Sequence, residues 1–588
     1  MEKTEIIAKA REYISKEKEA HFRKEVEQLL AAEDFKELED RFYQQLEFGT
    51  GGLRGVIGGG YNRMNTFVVK SATQGLAAYV RKASPSKADA GTLAAVIAYD
   101  SRHYSREFAE GAALVLAANG IKTYLFSSLR PTPELSFAIR ELNADTGIVV
   151  TASHNPPKYN GYKAYWNDGS QVIEPHDAGI INEVNAVTEI KEFDKQTALD
   201  KGLLKIIDKE IDEPFHAMIR ARLFRPALIK EKAKEVKIVY TPLHGTGAMH
   251  VEAVLGSLGL DVMTVPEQRD GDGAFPTVDF PNPEEPPALK MAIELGKKTG
   301  ADVVMATDPD ADRFGIAVPR AGEFVLVTGN QLGALLLDYV CLSLQESGKL
   351  PAKPAFINSI VTTGMQERVG ALYGVKRLEC LTGFKWIADL MRKSDEKALP
   401  ETIVFGTEES YGYLVENEVR DKDGISAAAM TAEMTLYWRS KGKSLLDRLD
   451  ELYEQCGFWM ETGISKYFQG PEGPATMAGI LAGFRKNPPK TLGGIPVDYM
   501  RDIKLSQTTF PGEPGKTEPV ALPKSDVLQF YLKDGTMVSA RPSGTEPKIK
   551  FYVSGYESVT AGGHAAAETV CKKKLDAIKT ELQKVLGA

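Results

Sequence analysis

The residues of this 588-residue chain whose types and spacing suit chemistry stand in four loops. The first, Thr151-Ala152-Ser153-His154-Asn155-Pro156-Pro157, cuts off the apolar run that ends at Val150, and Lys163 follows shortly after. A hydroxyl with an imidazole beside it and an amine close by is the equipment of group transfer, where a base must reach a reacting hydroxyl. An isolated Ser-His-Asn usually does no more than cap a turn, so the other loops carry the decision.

In the second loop Asp308, Asp310 and Asp312 follow the apolar stretch "VVMAT". In an extended loop alternate residues point to one side, so three carboxylates converge on one hard cation. The EF-hand alternative fails, because Arg313 stands where its glycine belongs and Pro319 where its bidentate glutamate belongs. Three carboxylates leave coordination positions open, which Mg²⁺ fills with water or phosphate oxygen. The third site combines "TGFKWI", which supplies Lys385, with "FGTEESYGY", where Glu408 and Ser410 offer an acceptor and a donor-acceptor to adjacent hydroxyls. In the fourth, Arg541, Ser543, Gly544 and Thr545 bring a guanidinium fork, two hydroxyls and open backbone amides, which suit a phosphate dianion.

The elements that must position these loops are legible from periodicity. Residues up to Phe48 read as amphipathic helices, with Ile6, Ile7, Ala10 and Tyr13 at helical spacing, packed on the first domain. Three later segments share one design: an apolar strand, a polar turn, a helix, and a glycine (Gly120, Gly259, Gly374) leading into another strand. Three β-α-β units predict three related α/β domains with mostly parallel sheets. The carboxyl-terminal "LQFYLKDGTMVSARPSGTEPKIKFYVSGY" alternates about an Asp-Gly turn, which predicts a hairpin, a further strand and a smaller α+β domain. The proline- and glycine-rich stretches "NPPKTLGGIPVDY" and "TTFPGEPGKTEPVALP" read as connecting segments before it. The expected divisions are residues 1–205, 206–325, 326–450 and 451–588.

Composition excludes several classes. With 43% hydrophobic and 26% charged residues the chain is an ordinary globular protein, too long for one core. A net charge of -8 argues against broad binding to nucleic acid or anionic membrane. The charged amino terminus lacks a signal-peptide core, and the apolar stretches are broken well short of a membrane span, which predicts a cytoplasmic protein. Cys341, Cys380, Cys456 and Cys571 lie far apart with no CxxC pair, and are expected to be reduced thiols without disulfide or zinc roles.

The ordered set of a Thr-Ala-Ser-His-Asn-Pro loop, an Asp-x-Asp-x-Asp-Arg loop, a Glu-Glu-Ser loop and an Arg-Pro-Ser-Gly-Thr loop resembles the α-D-phosphohexomutases, from about Gly49 to the carboxyl terminus. The "FGTGGLRG" segment fits the longer phosphoglucomutase and phosphomannomutase branch. This resemblance implies four domains around a central cleft, each contributing one loop. It implies a phosphoryl group carried on Ser153, one Mg²⁺ held by Asp308, Asp310 and Asp312 with a phosphoserine oxygen, and His154 and Lys163 as general acid or base candidates. Arg54 and Arg313 would steady the transferring group, Glu408, Ser410 and Lys385 the sugar, and Arg541, Ser543, Gly544 and Thr545 the idle phosphate. The expected partner is a hexose phosphate, with glucose 1,6-bisphosphate as activator and a monomer or weak homodimer as the assembly. Within that resemblance Glu-Glu-Ser favours glucose over mannose, which stays an alternative because a Glu-Ser pair cannot by itself separate sugars that differ only at carbon 2, while Thr407 in place of glycine and Tyr411 in place of phenylalanine leave pentose phosphate and bisphosphate synthesis as alternatives. A two-zinc phosphatase lacks support because the eight histidines are scattered and a hydrolase needs no second phosphate clamp. A non-catalytic binding relative is the remaining class.

Overall fold

The structure, a computed structural model, describes residues 1–49, 51–468, 473–542 and 548–587. Its architecture is the expected four-domain α/β one, with mixed sheets. The chain divides into two compact units, one of Met1–Val327, Met391–Glu396 and Tyr411–Tyr437, the other of Thr328–Leu390, Lys397–Ser410 and Trp438–Ala588.

The first unit begins with helices Lys3–Lys16, Ala20–Ala31 and Phe35–Phe42. Their apolar stripes, with Ile6, Ala10, Tyr13, Val26, Leu38 and Phe42, close a small core of their own. A six-stranded sheet follows, whose parallel strands Thr146–Val150, Ala94–Tyr99, Lys122–Phe126 and Leu204–Ile207 continue through antiparallel Tyr159–Trp166 and Gly52–Val56. Strands Ala94–Tyr99 and Thr146–Val150 are buried at every position, as central parallel strands between helical layers should be. The second sheet of this unit pairs Asp261–Thr264, Lys237–Thr241 and Val303–Thr307 in parallel and adds Phe314–Arg320 and Glu323–Val327 antiparallel.

In the second unit Lys376–Cys380, Pro354–Ser359 and Thr402–Glu408 are parallel. Gly120, Gly259 and Gly374 each end the helix of a β-α-β unit at φ of 75°, 78° and 69°. Only a residue without Cβ takes that left-handed turn at no steric cost, which is why the repeat is punctuated by glycine.

The carboxyl-terminal sheet holds the expected hairpin, Leu528–Leu532 with Met537–Pro542, and the further strand Lys548–Glu557. Phe458–Tyr467 pairs along the full length of that last strand. The two stretches read as connectors are not linkers. Ile495–Asp502 pairs with Leu528–Leu532, Gln507–Thr509 and Thr517–Pro519 extend the edge, and Gly493-Gly494 form a tight hairpin turn between Thr491–Leu492 and Ile495–Asp502. Proline and glycine mark the turns between these short strands rather than a tether. All four cysteines are free and buried. Among the described residues no helix is long and apolar enough to cross a membrane.

Candidate functional site

Ser153 stands just beyond the end of strand Thr146–Val150, with its backbone in the left-handed region at φ 50°. A non-glycine residue there costs of order 1 kcal/mol or more, so surrounding contacts must hold it. The Thr151 hydroxyl accepts the Ser153 N–H at 2.8 Å. The larger contribution comes from Arg102, whose side chain is wholly buried beneath the loop. Its guanidinium donates to the carbonyls of Ser153 at 2.5 Å, Asn155, Pro156 at 2.9 Å and Tyr159 at 3.1 Å, while Nε lies 3.3 Å from Asp100 Oδ2. A planar fork of fixed donors can hold four carbonyls of one loop together.

The Ser153 hydroxyl donates to Asp308 Oδ2 at 2.5 Å and lies 3.1 Å from His154 Nδ1. Burial, followed by the charges of Arg313 and Arg54, pushes the His154 imidazole well below its usual pKa, so it is neutral near pH 7. Lys163 lies on the returning strand Tyr159–Trp166, which pairs antiparallel with the Ser153 strand through Val149 and with Gly52 on its other side. Its ammonium meets Asp310 Oδ2 at 2.9 Å and Asp312 Oδ2 at 3.3 Å. Burial works against the charge, but the two aspartates outweigh it and raise the Lys163 pKa.

The three aspartates do not sit on an extended loop. Asp308 to Ala311 form a turn closed by the Ala311 N–H to Asp308 O bond at 2.9 Å, with Ala311 at φ 50°. Strands Val303–Thr307 and Phe314–Arg320 then pair directly across it. Curling rather than alternation makes the carboxylates converge, and their ligating oxygens lie within 4.8 Å of one another. Neighbours brace the turn. The Thr132 hydroxyl donates to Asp310 Oδ2 at 2.8 Å, and the N–H groups of Thr132, Thr246 and Gly424 reach the carbonyls of Asp310, Pro309 and Ala311. Gly245 packs so tightly that a Cβ there would fall 2.3 Å from Pro309 Cα. Lys422 meets Asp312 Oδ2 at 3.0 Å.

Two oxygens of the trio, Asp310 Oδ1 and Asp312 Oδ1, are buried without any hydrogen-bond partner. Burial, then Asp310 and Asp312, push the Asp308 carboxyl well above its ordinary range, whereas for Asp312 the burial penalty is outweighed by Lys422, Lys163 and Arg313. Convergent carboxylates with bare lone pairs fit a hard divalent cation. Arg313, whose N–H donates to Asp308 Oδ1 at 3.0 Å, points Nη1 toward Glu284 at 3.3 Å. Arg54 lies on strand Gly52–Val56 opposite Gly161, exposed.

In the second unit the buried Glu408 ends strand Thr402–Glu408 and accepts the Gly383 N–H at 2.6 Å, which ties the Glu-Glu-Ser segment to the start of helix Phe384–Asp395, whose first turn carries Lys385. Glu409 accepts from Ser359 Oγ at 3.0 Å and Thr362 Oγ1 at 3.3 Å. Ser410 is half-buried. Arg541, on strand Met537–Pro542, lies within hydrogen-bonding reach of Tyr552. Ser543, Gly544 and Thr545 lie outside the described residues. Thr407 is wholly buried, its hydroxyl near Gly333 and without a hydrogen-bond partner, and Tyr411 is buried beside Gly315.

Sequence reasoning missed Arg102, Thr132 and Lys422. The one local signal was the Asp100-x-Arg102 pair at the end of an apolar strand.

Four family models match along the chain: phosphoglucomutase/phosphomannomutase alpha/beta/alpha domain I at residues 45–191, domain II at 214–322, domain III at 328–456, and the C-terminal domain at 502–569. A phosphoglucomutase from Staphylococcus aureus is 35% identical over 522 residues, 88% of this chain and 91% of its own. A protein named "Probable phosphoribomutase" from Schizosaccharomyces pombe is 34% identical over 579 residues, 95% of this chain and 94% of its own. Among solved structures, the phosphoglucomutase parafusin from Paramecium shares the fold with a TM-score of 0.68 at 20% identity, over 93% of this chain and 96% of that one.

Proposed function

The chain belongs to the phosphoglucomutase/phosphomannomutase family and is an intramolecular phosphotransferase, and from that premise we propose that it interconverts glucose 1-phosphate and glucose 6-phosphate through a phosphoserine at Ser153 and a glucose 1,6-bisphosphate intermediate. The observation that carries the reading is the Ser153 hydroxyl 2.5 Å from a buried aspartate trio, with His154 beside it and Lys163 on the trio's edge. Asp308, Asp310 and Asp312 would hold one Mg²⁺, which when bound offsets the charge of the transferring phosphoryl group.

Phosphoryl transfer asks the protein for positioning and charge compensation. Arg102 fixes the loop so that Ser153 Oγ presents to the trio. The phosphoryl group leaves Ser153 Oγ for a free hydroxyl of the hexose monophosphate. That hydroxyl loses its proton and Ser153 Oγ regains one. His154, neutral, is in the state to accept a proton, and Lys163, cationic, in the state to give one. Arg54 and Arg313 steady the phosphoryl oxygens. The bisphosphate then turns end over end and returns its other phosphoryl group to Ser153. Glu408, Ser410 and Lys385 hold the sugar, and Arg541 with Ser543, Gly544 and Thr545 holds the idle phosphate. We place the domain divisions at 1–205, 206–325, 326–450 and 451–588.

A pentose reading is favoured by the Schizosaccharomyces pombe relative, which matches a larger share of the chain than the Staphylococcus aureus enzyme does. Coupled assays with glucose 1-phosphate, mannose 1-phosphate and ribose 1-phosphate, each with Mg²⁺ and a trace of the matching bisphosphate, separate the readings by kcat/KM. Highest efficiency on glucose 1-phosphate supports the proposal. Preference for ribose 1-phosphate replaces it with the second reading, and no turnover with any of them sinks both.

A further inference from the structure

Away from the aspartate trio, three helices of the first unit bring a second set of ligating side chains together. Glu134 comes from Thr132–Glu141, Asp212 from Lys209–Arg222 and His250 from Gly247–Ser257, all buried, with ligating atoms within 4.8 Å of one another. Glu134 is 0% exposed, its oxygens accept no hydrogen bond from a nitrogen or hydroxyl donor, and the carboxyl lies against that of Asp212, while the equally buried His250 Nε2 has no hydrogen-bond partner. A buried carboxylate in that condition is costly.

His250 Nε2 lies 3.1 Å from Glu134 Oε2, but makes no hydrogen bond to it. A proton between them requires the N–H to aim at the oxygen, with an angle above about 120°. A metal ion requires something else: a nitrogen lone pair and carboxylate oxygens aimed at a common third point. Bonds of about 2.0–2.1 Å in a tetrahedron place neighbouring donor atoms about 3.3 Å apart, close to the separation seen. The far side of the ring has the support that metal-binding histidines have, because His250 Nδ1 lies 2.8 Å from His216 Nε2. That contact lets Nδ1 carry the hydrogen and leaves Nε2 with its lone pair.

Charge points the same way. Arg130 binds both oxygens of Asp212, at 2.8 and 3.0 Å, and so offsets that carboxylate while leaving each oxygen a second lone pair. Arg130 Nε reaches Glu134 only at 3.7 Å, and buried Asp423 adds further negative charge nearby. Glu134 and Asp212 with one oxygen each and His250 with its nitrogen supply three donors, and a water would complete a four-coordinate site.

We propose that Glu134, Asp212 and His250 form a zinc site separate from the aspartate trio. Its place in the fold gives it a purpose. Thr132, which holds Asp310, opens the helix that carries Glu134, so the ion would pin the first turn of that helix to two others.

The test is the zinc content, by inductively coupled plasma mass spectrometry, of full-length protein equilibrated with micromolar ZnCl₂ and dialysed into Mg²⁺ buffer. One zinc per chain is expected in wild type and in Asp308→Asn, and none in His250→Gln or Glu134→Gln. Cobalt loading should give visible d–d absorption in the first two and not in the others. Wild type without zinc overturns the proposal and assigns the site to a shared proton. Zinc kept by both His250→Gln and Glu134→Gln, or lost in Asp308→Asn, overturns it as well. None of these readouts depends on mutase activity, so the proposal stands or falls apart from the assignment of function.

Discussion

Replacing Arg102 should disable catalysis from beneath the loop, without touching substrate. Its guanidinium holds four carbonyls between Ser153 and Tyr159 and lies against Asp100. A hydrogen bond from a charged donor contributes about 1.5–3 kcal/mol net, but four bonds from one group are not additive, and the loop will relax toward water. Breaking a buried charged contact typically costs about 3–5 kcal/mol, and we expect Arg102→Met to lower the stability of the first unit by that amount. Freed of the clamp, Ser153 loses the contacts that keep it at φ 50°. A displacement of its hydroxyl by about 1 Å lowers kcat about 100-fold. KM should stay within about twofold, because the groups Arg102 holds are carbonyls of the Ser153 loop and Asp100. Arg102→Lys keeps the charge but not the fork, so about a tenfold loss is expected. The assay is steady-state turnover of glucose 1-phosphate with added bisphosphate, beside circular dichroism and the phosphate content of Ser153 by intact mass. A folded Arg102→Met enzyme with wild-type kcat would refute the positioning argument, as would a loss confined to KM.

Other outcomes follow from the same geometry. Ser153→Ala should abolish turnover and show no phosphoryl adduct by intact mass after incubation with hexose bisphosphate, and full mutase activity in that variant would overturn its role. Arg541→Ala should raise KM about tenfold to 100-fold, the worth of a charged phosphate contact, with a smaller effect on kcat. Glu416 is fully buried, and burial followed by Asp423 holds its carboxyl well above the ordinary carboxylate range. A folded pKa raised above the unfolded one gives stability that is present below the unfolded value and is lost as pH rises toward the folded one. Glu416→Gln should therefore gain in Tm over wild type as pH is raised from about 5 to about 8, and parallel Tm curves would sink the idea.

What the sequence disclosed was local. Ser153 and the three aspartates could be found because each loop directly ends an apolar strand, and a polar cluster at a strand end is visible in a short window. Gly120, Gly259 and Gly374 were legible for a similar reason, since the turn they make is a backbone matter. Arg102 was not, because its partners lie beyond Gly147 and meet it only once two parallel strands are side by side. Thr132 and Lys422 reach aspartates that are 178 and 110 residues away, and no periodicity encodes such a meeting. The carboxyl-terminal stretches misled for a different reason: proline and glycine punctuate short edge strands as densely as they do linkers, and only pairing tells the two apart.

The first unit is closed by residues that come late in the chain. Lys422 meets Asp312, the Gly424 N–H binds Ala311 O, and the segment Tyr411–Tyr437 that carries both belongs to that unit although much of the second unit is encoded before it. During synthesis the aspartate turn must therefore wait, its charge incompletely offset, until residue 424 has left the ribosome. A nascent or truncated chain ending at Val327 would hold Ser153 and all three aspartates and still lack the lysine and the brace that set them. Gene fragments cut at the apparent domain border should accordingly yield a poorly closed first unit, and the complete site becomes available only to a chain most of whose length has been made.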